Sequence, residues 1–266
     1  NMIKGKSLNE ELKQAKKIAL RDPNVVGNTV IAIQSVEKIE QMSKAQINKV
    51  SKQIYGTSSN DHPGVTVFVE AGDTLISGPV EVLNFSYFSS EFPDTFKTAV
   101  EIRDQIKDRG WKTVIAFQTR NPMHRGHEEL CRIAQKSLNA DGILVHMLLG
   151  KLKKGDVPAD IRISSIRKLI ELYFHENTVM IAGYGFDMLY AGPREAVLHA
   201  IFRQNSGCTH MIVGRDHAGV ADTYGPFDSQ IIFDKIPEDT LQIKIFKGDH
   251  TVWCKKCDKV VMICDC

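Results

Sequence analysis

Long apolar runs are missing from this sequence of 266 residues, and so is a large excess of charge of either sign. The longest apolar stretch, at 142–150, is far shorter than the roughly 20 residues that span a bilayer as a helix. No basic n-region with an apolar h-region opens the chain, so we expect a cytoplasmic protein with no membrane partner. The formal net charge of +2 offers no broad basic surface for a nucleic acid. Any anion must therefore be bound by a local cluster of charge.

Cysteine is also scarce, and four of the six cysteines fall within the last thirteen residues. Disulfide-stabilised domains spread their cysteines through a short secreted chain, so this distribution favours a reducing compartment. Cys131 and Cys208 stand alone in patterned segments and are expected in the core. Because the chain starts at Asn1 and stops abruptly at CDC, we expect it to be a fragment of a longer protein.

The first 90 residues favour strands. GVTVFVEAG (64–72) alternates apolar and other residues, which predicts a strand, and β-branched runs at 28–40 and 78–86 predict others. The segment 38–56 has a weak period and is either a helix or a linker. We therefore predict a smaller, mostly-β domain over residues 1–90.

Short apolar runs alternate with helical stripes from about residue 95. KTVIAFQ (112–118) does not alternate, which is typical of a strand buried on both faces. Further strands are predicted to start near 143, 178 and 209, with an amphipathic helix before each one. Repeated βαβ units predict an α/β fold with a Rossmann-like parallel sheet. We place this catalytic domain at 91–235 and a C-terminal element at 236–266.

Donor-rich loops follow the first and the fourth of these predicted strands, where parallel sheets bind their ligands. QTRNPMHRGHEEL (118–130) carries two arginines and two histidines and leads into a helix, whose free N–H groups attract phosphate. GRDHAG (214–219) again presents arginine and histidine together. The first loop has neither the G-x-x-x-x-G-K-[ST] pattern nor the G-x-G-x-x-G pattern, so a nucleotide would bind in another way.

Each of these residues also has a simpler interpretation. A loop arginine is usually a solvated charge, and histidines three residues apart, such as His124 and His127, usually serve packing and hydrogen bonding. A metal site at the two histidines is disfavoured, because no carboxylate accompanies them as in the zinc-protease pattern. Similar chemistry at two strand ends favours one shared anion site.

The H-x-G-H sequence at 124–127, opening a helix after a first strand, resembles the nucleotidyltransferase superfamily. QTRNPMHRGHEEL and GRDHAGV together closely resemble the ATP sulfurylase (sulfate adenylyltransferase) family. Leu189 departs from the family, which usually has arginine before YAGPRE, and family chains usually extend past both ends of this one. Further similar stretches, running from about residue 55 to 257, are HPGV, GKLKKGDVPADIR, YAGPREAVLHAIFRQNSGCTH, YGPFDSQ and HTVWCKKC.

The resemblance implies that AMP is transferred from ATP to sulfate, giving adenosine 5′-phosphosulfate and pyrophosphate, with Mg²⁺ accompanying ATP. It also implies a PUA-like N-terminal domain and a homo-oligomer, and it leaves open whether the reaction serves sulfate assimilation or sulfur oxidation. By position, the catalytic residues are Thr119, Arg120 and Asn121, and sulfate is bound by Gln118, Arg120 and Ala218. The residues implied to bind ATP are Gln118, Thr119, Arg120, Asn121, His124, His127, Gly214, Arg215, Asp216 and His217.

Two other functions stay open. One is an H-x-G-H adenylyltransferase with a different acceptor, and the other is a non-catalytic nucleotide-binding module. QTRN and GRDHAG favour sulfate, because acceptor-side residues are not part of the shared nucleotide signature. The intact residues of QTRN and H-x-G-H argue against a loss of activity.

The cysteine-rich end WCKKCDKVVMICDC begins with a C-x-x-C pair. Four thiolates at Cys254, Cys257, Cys264 and Cys266 are expected to hold a structural zinc in a zinc-ribbon-like element. Some family members carry a zinc element after the same HT-x-x-C-K-K-C stretch, although their last two ligands do not match C-x-C. The alternatives are a reduced cysteine cluster, or a fourth ligand that lies past the C-terminal end of this sequence.

Overall fold

The computed structural model describes residues 2–4, 8–22, 24–84, 86–150 and 156–262. The chain divides into two compact units, Asn1–Pro93 and Asp94–Cys266. Among the described residues, no helix is both long enough and apolar enough to cross a membrane. Both donor-rich loops belong to the second unit.

The first unit contains two antiparallel three-stranded sheets and several helices. Its strands are β1 (Met2–Ile3), β2 (Lys17–Arg21), β3 (Val30–Ser35), β4 (Lys38–Gln41), β5 (Thr74–Ser77) and β6 (Val80–Val82). Its helices are α1 (Glu10–Gln14), α2 (Lys44–Tyr55), α3 (Pro63–Ala71) and α4 (Phe88–Glu91). The sheet orders are β1-β5-β4 and β2-β3-β6. Since α2 and α3 are substantial helices, this unit is more mixed than the mostly-β domain that we predicted.

The predicted strand at 64–72 is wrong, because these residues form most of α3. The His62 side chain accepts hydrogen bonds from the first free amides of the helix, and Pro63 occupies its first turn. Gly72, at a φ of 126°, follows its last residue. Valine is only slightly disfavoured in helices, so these end signals outweigh the alternation.

The second unit is built on a five-stranded parallel sheet in the order β11-β10-β7-β8-β9. The predicted parallel α/β fold and its four strands are confirmed. β11 was not predicted, and it brings part of the 236–266 segment into the central sheet. The strands of this unit are β7 (Val114–Thr119), β8 (Gly142–Leu148), β9 (Val179–Tyr184), β10 (His210–Val213), β11 (Lys244–Lys247), β12 (Val252–Cys254) and β13 (Lys259–Val261). Its helices are α5 (Ala99–Asp108), α6 (Arg125–Leu138), α7 (Ala159–Tyr173), α8 (Pro193–Asn205) and α9 (Asp228–Ile231).

The core of this unit packs around the sheet. Every residue of β8 is buried, and so are the first four residues of β7. Ile102 and Ile106 of α5, with Ala200 of α8, belong to the same buried cluster as these strands. Burial on both faces explains why the apolar runs of the sequence do not alternate.

The strand order places the two donor-rich loops next to each other. From β7 the chain first builds β8 and β9 on one side, and then β10 and β11 on the other. β7 and β10 are direct parallel neighbours, with Met211 opposite Ala116. The loops that leave their carboxyl ends therefore lie side by side at the switch point of the sheet, where a crevice forms in folds of this type.

Candidate functional site

A cavity of about 440 Å³ lies at the carboxyl ends of β7 and β10. This volume is within the usual range for small-molecule sites. Every residue that the resemblance implies for ATP or sulfate lines this cleft, together with residues from a third segment at 249–251. The lining residues are Phe117, Gln118, Thr119, Arg120, Asn121, His124, His127, Leu130, Met188, Ile212, Gly214, Arg215, Asp216, His217, Ala218, Asp249, His250 and Thr251.

The loop after β7 is folded by a side chain that bonds its own backbone. The Thr119 hydroxyl donates to the Asn121 carbonyl at 2.7 Å and accepts from the Asn121 amide at 3.0 Å. Beside this turn, Arg120 Nη1 and Gln118 Oε1 are buried and have no protein partner among the described residues. The Arg120 guanidinium lies 5.1 Å from the centre of the Tyr190 ring, which supports it from one side. A guanidinium with a buried, unused donor is suited to bind an oxyanion.

The H-x-G-H sequence forms the start of α6. His124 is its N-cap residue, and His124 Nδ1 accepts from the Gly126 amide at 3.1 Å. A neutral His124 therefore carries its proton on Nε2. Its ring stacks on that of His127, with 3.8 Å between the centroids. A Cβ atom on Gly126 would lie 2.6 Å from Thr251 Oγ1, so glycine lets the third segment approach this turn.

His127 is held neutral by its surroundings. Burial, and secondarily the nearby His124, lowers the pKa of His127 to about 4. Its Nδ1 is buried and has no hydrogen-bond partner in the described part of the chain. At neutral pH His127 therefore offers a neutral imidazole rather than a positive charge.

Acidification is expected to destabilise the protein through His127. An unfolded histidine takes up a proton near pH 6.5, whereas folded His127 does so only near pH 4, so stability is lost as the pH falls between these values. His127→Asn should show a smaller drop in Tm from pH 7 to pH 5 than the wild type. His175→Asn, at an exposed position, is the control and should behave like the wild type. Equal drops in all three proteins would contradict this interpretation.

The loop after β10 has a constrained backbone. Asp216 and Ala218 have positive φ angles of 53° and 56°, which side-chain-bearing residues rarely adopt. The Ser229 hydroxyl donates to the His217 carbonyl at 2.7 Å, and the Gly192 amide donates to the Ala218 carbonyl at 3.0 Å. These contacts fix the loop where it lines the cleft.

The third segment, Asp249, His250 and Thr251, was not predicted as part of the site. The Gln230 side-chain amide donates to the Val213 carbonyl at 3.0 Å and to the Gly248 carbonyl at 2.6 Å, which joins the end of β10 to this segment. The segment follows β11, and it was missed because this strand was not predicted. Had KIFK been identified as a strand, the position after a strand end would have pointed to these residues.

The cysteines fall into two groups. Cys131 and Cys208 are buried as predicted, and burial raises the pKa of the Cys208 thiol to about 12. Cys254 ends β12, and the Cys257 amide donates to Cys254 Sγ at 3.4 Å in the turn before β13. Cys264 and Cys266 lie outside the described residues, as do residues 151–155 of the family-like stretch GKLKKGDVPADIR. No group of three or more His, Cys, Asp or Glu positioned for a metal occurs within the described ranges.

An H-x-G-H turn that opens a helix beside the first strand of a parallel sheet is the arrangement typical of nucleotidyltransferases. The comparison with protein families narrows this class. The ATP-sulfurylase family matches residues 93–266, and the PUA-like domain family matches residues 4–85. The chain belongs to the ATP-sulfurylase family, and the predicted resemblance and PUA-like domain are confirmed.

Several curated proteins named sulfate adenylyltransferase are similar to this chain. Those of Alcanivorax borkumensis and Allochromatium vinosum are 61% and 62% identical over 266 and 252 residues. That of the Riftia pachyptila sulfur-oxidizing endosymbiont is 61% identical over 207 residues. These alignments cover 100%, 94% and 78% of this chain, but 66%, 64% and 47% of the relatives. The chain therefore spans less than two thirds of each relative's length.

A solved structure described as a hexameric APS kinase from Thiobacillus denitrificans is similar in fold, with a TM-score of 0.63. The match covers 96% of this chain and 42% of the other chain, at 19% sequence identity. At this identity the likeness shows the fold alone.

Proposed function

We propose that the protein is a sulfate adenylyltransferase, which transfers AMP from ATP to sulfate and releases pyrophosphate. The observation that carries this proposal is the meeting of the QTRN, H-x-G-H and GRDHAG residues in one cleft of an ATP-sulfurylase family member. The reaction is reversible, so the same site serves sulfate assimilation or sulfur oxidation.

Sulfate is proposed to bind near Arg120. Its guanidinium has a buried donor without a partner in the described part of the protein, and Gln118 is two residues away at the end of β7. Ala218 lines the cleft from the other loop and would add its backbone amide. Because sulfate and ATP repel each other, a guanidinium that attracts both anions lowers the cost of bringing them together.

The ATP phosphates are proposed to lie over the start of α6. His124 presents Nε2–H as a donor, and the helix N-terminus adds backbone N–H groups and a partial positive charge. Asn121 and His127 line the same part of the cleft. The loop from Gly214 to His217 would hold the remainder of the nucleotide.

The transfer needs no general base. A sulfate oxygen attacks the α-phosphorus, and the bond from that phosphorus to the pyrophosphate oxygen breaks. Sulfate is already a full anion, so no proton has to be removed from it. Thr119, Arg120 and Asn121 are proposed to stabilise charge that builds on the phosphoryl oxygens. Positioning and electrostatics would therefore supply most of the rate enhancement.

Magnesium is proposed to arrive with ATP. The cleft lining includes two carboxylates, Asp216 and Asp249, and no dedicated cage for a metal occurs among the described residues. Mg²⁺ is usually held by substrate phosphates with one or two carboxylates, so this donor set fits. Its chemistry would be the neutralisation of phosphate charge.

The remaining expectations belong to the same proposal. We propose a cytoplasmic homo-oligomer. The domain boundaries at residues 91 and 236 stay a prediction. ATP and sulfate are the proposed substrates in one direction. In the other direction they are adenosine 5′-phosphosulfate and pyrophosphate.

Molybdate distinguishes this activity from the alternatives. Molybdate imitates sulfate but gives an unstable product, so a sulfate adenylyltransferase cleaves ATP to AMP and pyrophosphate continuously. We expect AMP to accumulate only when both ATP and molybdate are present. An adenylyltransferase with another acceptor, or a module that only binds nucleotide, would show no molybdate-dependent AMP.

A structural zinc is proposed at the cysteine-rich end. The hydrogen bond from the Cys257 amide to Cys254 Sγ closes a turn in which both thiolates can bind one metal ion. Cys264 and Cys266 are the other proposed ligands. Metal analysis is expected to find about one zinc per chain, and Cys257→Ser should lose it and lower Tm. Cys208→Ala, at a buried cysteine outside this turn, is the control and should keep the metal. Purified wild-type protein in which metal analysis finds no zinc would contradict the proposal.

A further inference from the structure

Three polar side chains, those of Glu195, His199 and His217, lie in a row from the interior to the cleft. Glu195 and His199 lie one turn apart on α8 and are almost completely buried, with 1% and 0% exposure. Glu195 Oε1 is 3.5 Å from His199 Nε2, a contact that is not a hydrogen bond in this structure, and His199 Nδ1 is 3.1 Å from His217 Nε2. Only His217 lines the cleft. The first two residues therefore act on the cleft through the third.

Two backbone amides hold the Glu195 side chain and favour its carboxylate form, against the effect of burial. Its two oxygens accept hydrogen bonds from the Leu189 amide at 2.9 Å and from the Ala191 amide at 3.0 Å. Burial raises the pKa of Glu195, whereas these two amides act in the opposite direction. A carboxylate held in this way can accept a further hydrogen bond from the ring of His199.

His199 and His217 are both neutral at physiological pH. Burial, and then the nearby Arg203 guanidinium, holds the pKa of His199 well below its usual value. Burial, followed by His199 and Arg203, lowers the pKa of His217 to about 3. A neutral imidazole has one N–H donor and one acceptor nitrogen. The partner at one nitrogen therefore determines whether the other nitrogen donates or accepts towards the next residue in the row.

The proton positions follow from this rule. A carboxylate 3.5 Å from Nε2 favours the His199 proton on that nitrogen, which leaves a lone pair on Nδ1. His217 must then donate its Nε2 proton to that lone pair. The remaining nitrogen of His217, Nδ1, is left as a hydrogen-bond acceptor.

We propose that Glu195 and His199 are positioning residues that hold His217 in one orientation with Nδ1 as an acceptor for the ligand. His217 would then bind a hydroxyl or amino group of the nucleoside part of ATP rather than a phosphate oxygen. This assignment of the ligand group rests on the proposed function. The proposed proton arrangement does not, because it is argued only from contacts within the protein.

The proton arrangement can be tested without substrate. In ¹⁵N-histidine-labelled protein, long-range ¹H–¹⁵N spectra distinguish the two neutral tautomers, and His217→Gln and His199→Phe assign the two signals. We expect an Nε2–H tautomer for both residues in the wild type and in Glu195→Asp, which keeps the carboxylate. An Nδ1–H signal for His217, which protonated Glu195 would impose, would overturn the proposal even if the enzyme were fully active.

Kinetics test the consequence for the nucleotide. His199→Phe removes the acceptor of the His217 proton at a position where Phe186 and Phe202 already pack nearby. We expect a rise of about five- to tenfold in KM for ATP with little change in kcat, because an interaction made equally in substrate and transition state is lost. Glu195→Asp, which keeps the carboxylate, should have a KM for ATP close to that of the wild type. A folded His199→Phe variant with wild-type KM would contradict the positioning role.

Nucleotide analogues identify the group that His217 meets. ATP analogues without the 2′-hydroxyl, the 3′-hydroxyl or the adenine amino group are compared in the wild type and in His217→Gln. One analogue should bind several-fold more weakly than ATP to the wild type but no more weakly than ATP to the variant. If the penalty for every analogue is the same in both proteins, the nucleoside assignment is wrong. A protein inactive on ATP and sulfate but with the expected tautomers would refute the proposed function alone.

Discussion

Arg120→Ala is expected to lower kcat/KM for sulfate-dependent release of pyrophosphate by about a thousandfold or more. Removal of one donor from a transition-state site typically costs a hundredfold to a thousandfold, and the fixed positive charge is lost with it. Arg120 is suited to this role because it lines the cleft together with Gln118, and because its Nη1 is buried and lacks a partner among the residues that the structure describes. Steady-state kinetics with ATP and sulfate varied in turn measure the loss.

The fold should survive this change, since Arg120 Nη1 has no hydrogen-bond partner among the described residues and the guanidinium packs on one ring face. Thermal unfolding of the variant is therefore expected to stay close to that of the wild type. Arg167→Ala removes an arginine from the exposed face of α7 and is the matched control, with expected wild-type activity. Turnover by Arg120→Ala within tenfold of the wild type would remove this residue from the mechanism.

His124→Asn is expected to lower kcat/KM by about a hundredfold while leaving stability nearly unchanged. Asparagine is a good N-cap residue, so its side-chain oxygen can replace His124 Nδ1 as acceptor for the Gly126 amide. The Nε2–H donor proposed for the ATP phosphates is lost, and donors of this kind contribute most as charge develops. Kinetics and thermal unfolding of the same preparation separate the two roles.

His124→Ala completes the comparison, because it removes both the donor and the cap. It should show the same loss of activity and, in addition, a loss of about 1 kcal/mol of stability. An active, stable His124→Asn variant would show that this histidine serves only as a helix cap. Loss of stability in both variants to the same extent would mean that asparagine does not replace the cap.

The sheet and its two loops were predictable because their signals are local. Each of β7 to β10 is a buried apolar run next to an amphipathic helix, and the ligand residues come directly after β7 and β10. Parallel strands place these ends at one edge, so the convergence of the loops needs no knowledge of side-chain packing. Their roles in binding and catalysis stay predictions.

Other features depend on contacts that no short stretch of sequence contains. β11 has four residues, two of them lysines, and becomes recognisable only through its pairing with β10. The Asp249–Thr251 wall of the cleft was missed for this reason. The contact of His199 with His217 joins α8 to the loop after β10, and neither segment indicates it alone. In α3, His62 and Pro63 were the signals that should have outweighed the alternating valines.

A crystal structure of the protein with adenosine 5′-phosphosulfate tests the central claim most directly, because this product joins the sulfate and the nucleotide in one molecule. We expect the sulfate group beside Arg120 and Ala218, the phosphate near His124, and the nucleoside within reach of His217. A product molecule bound away from this cleft, or in contact with only one of the two loops, would contradict the shared site.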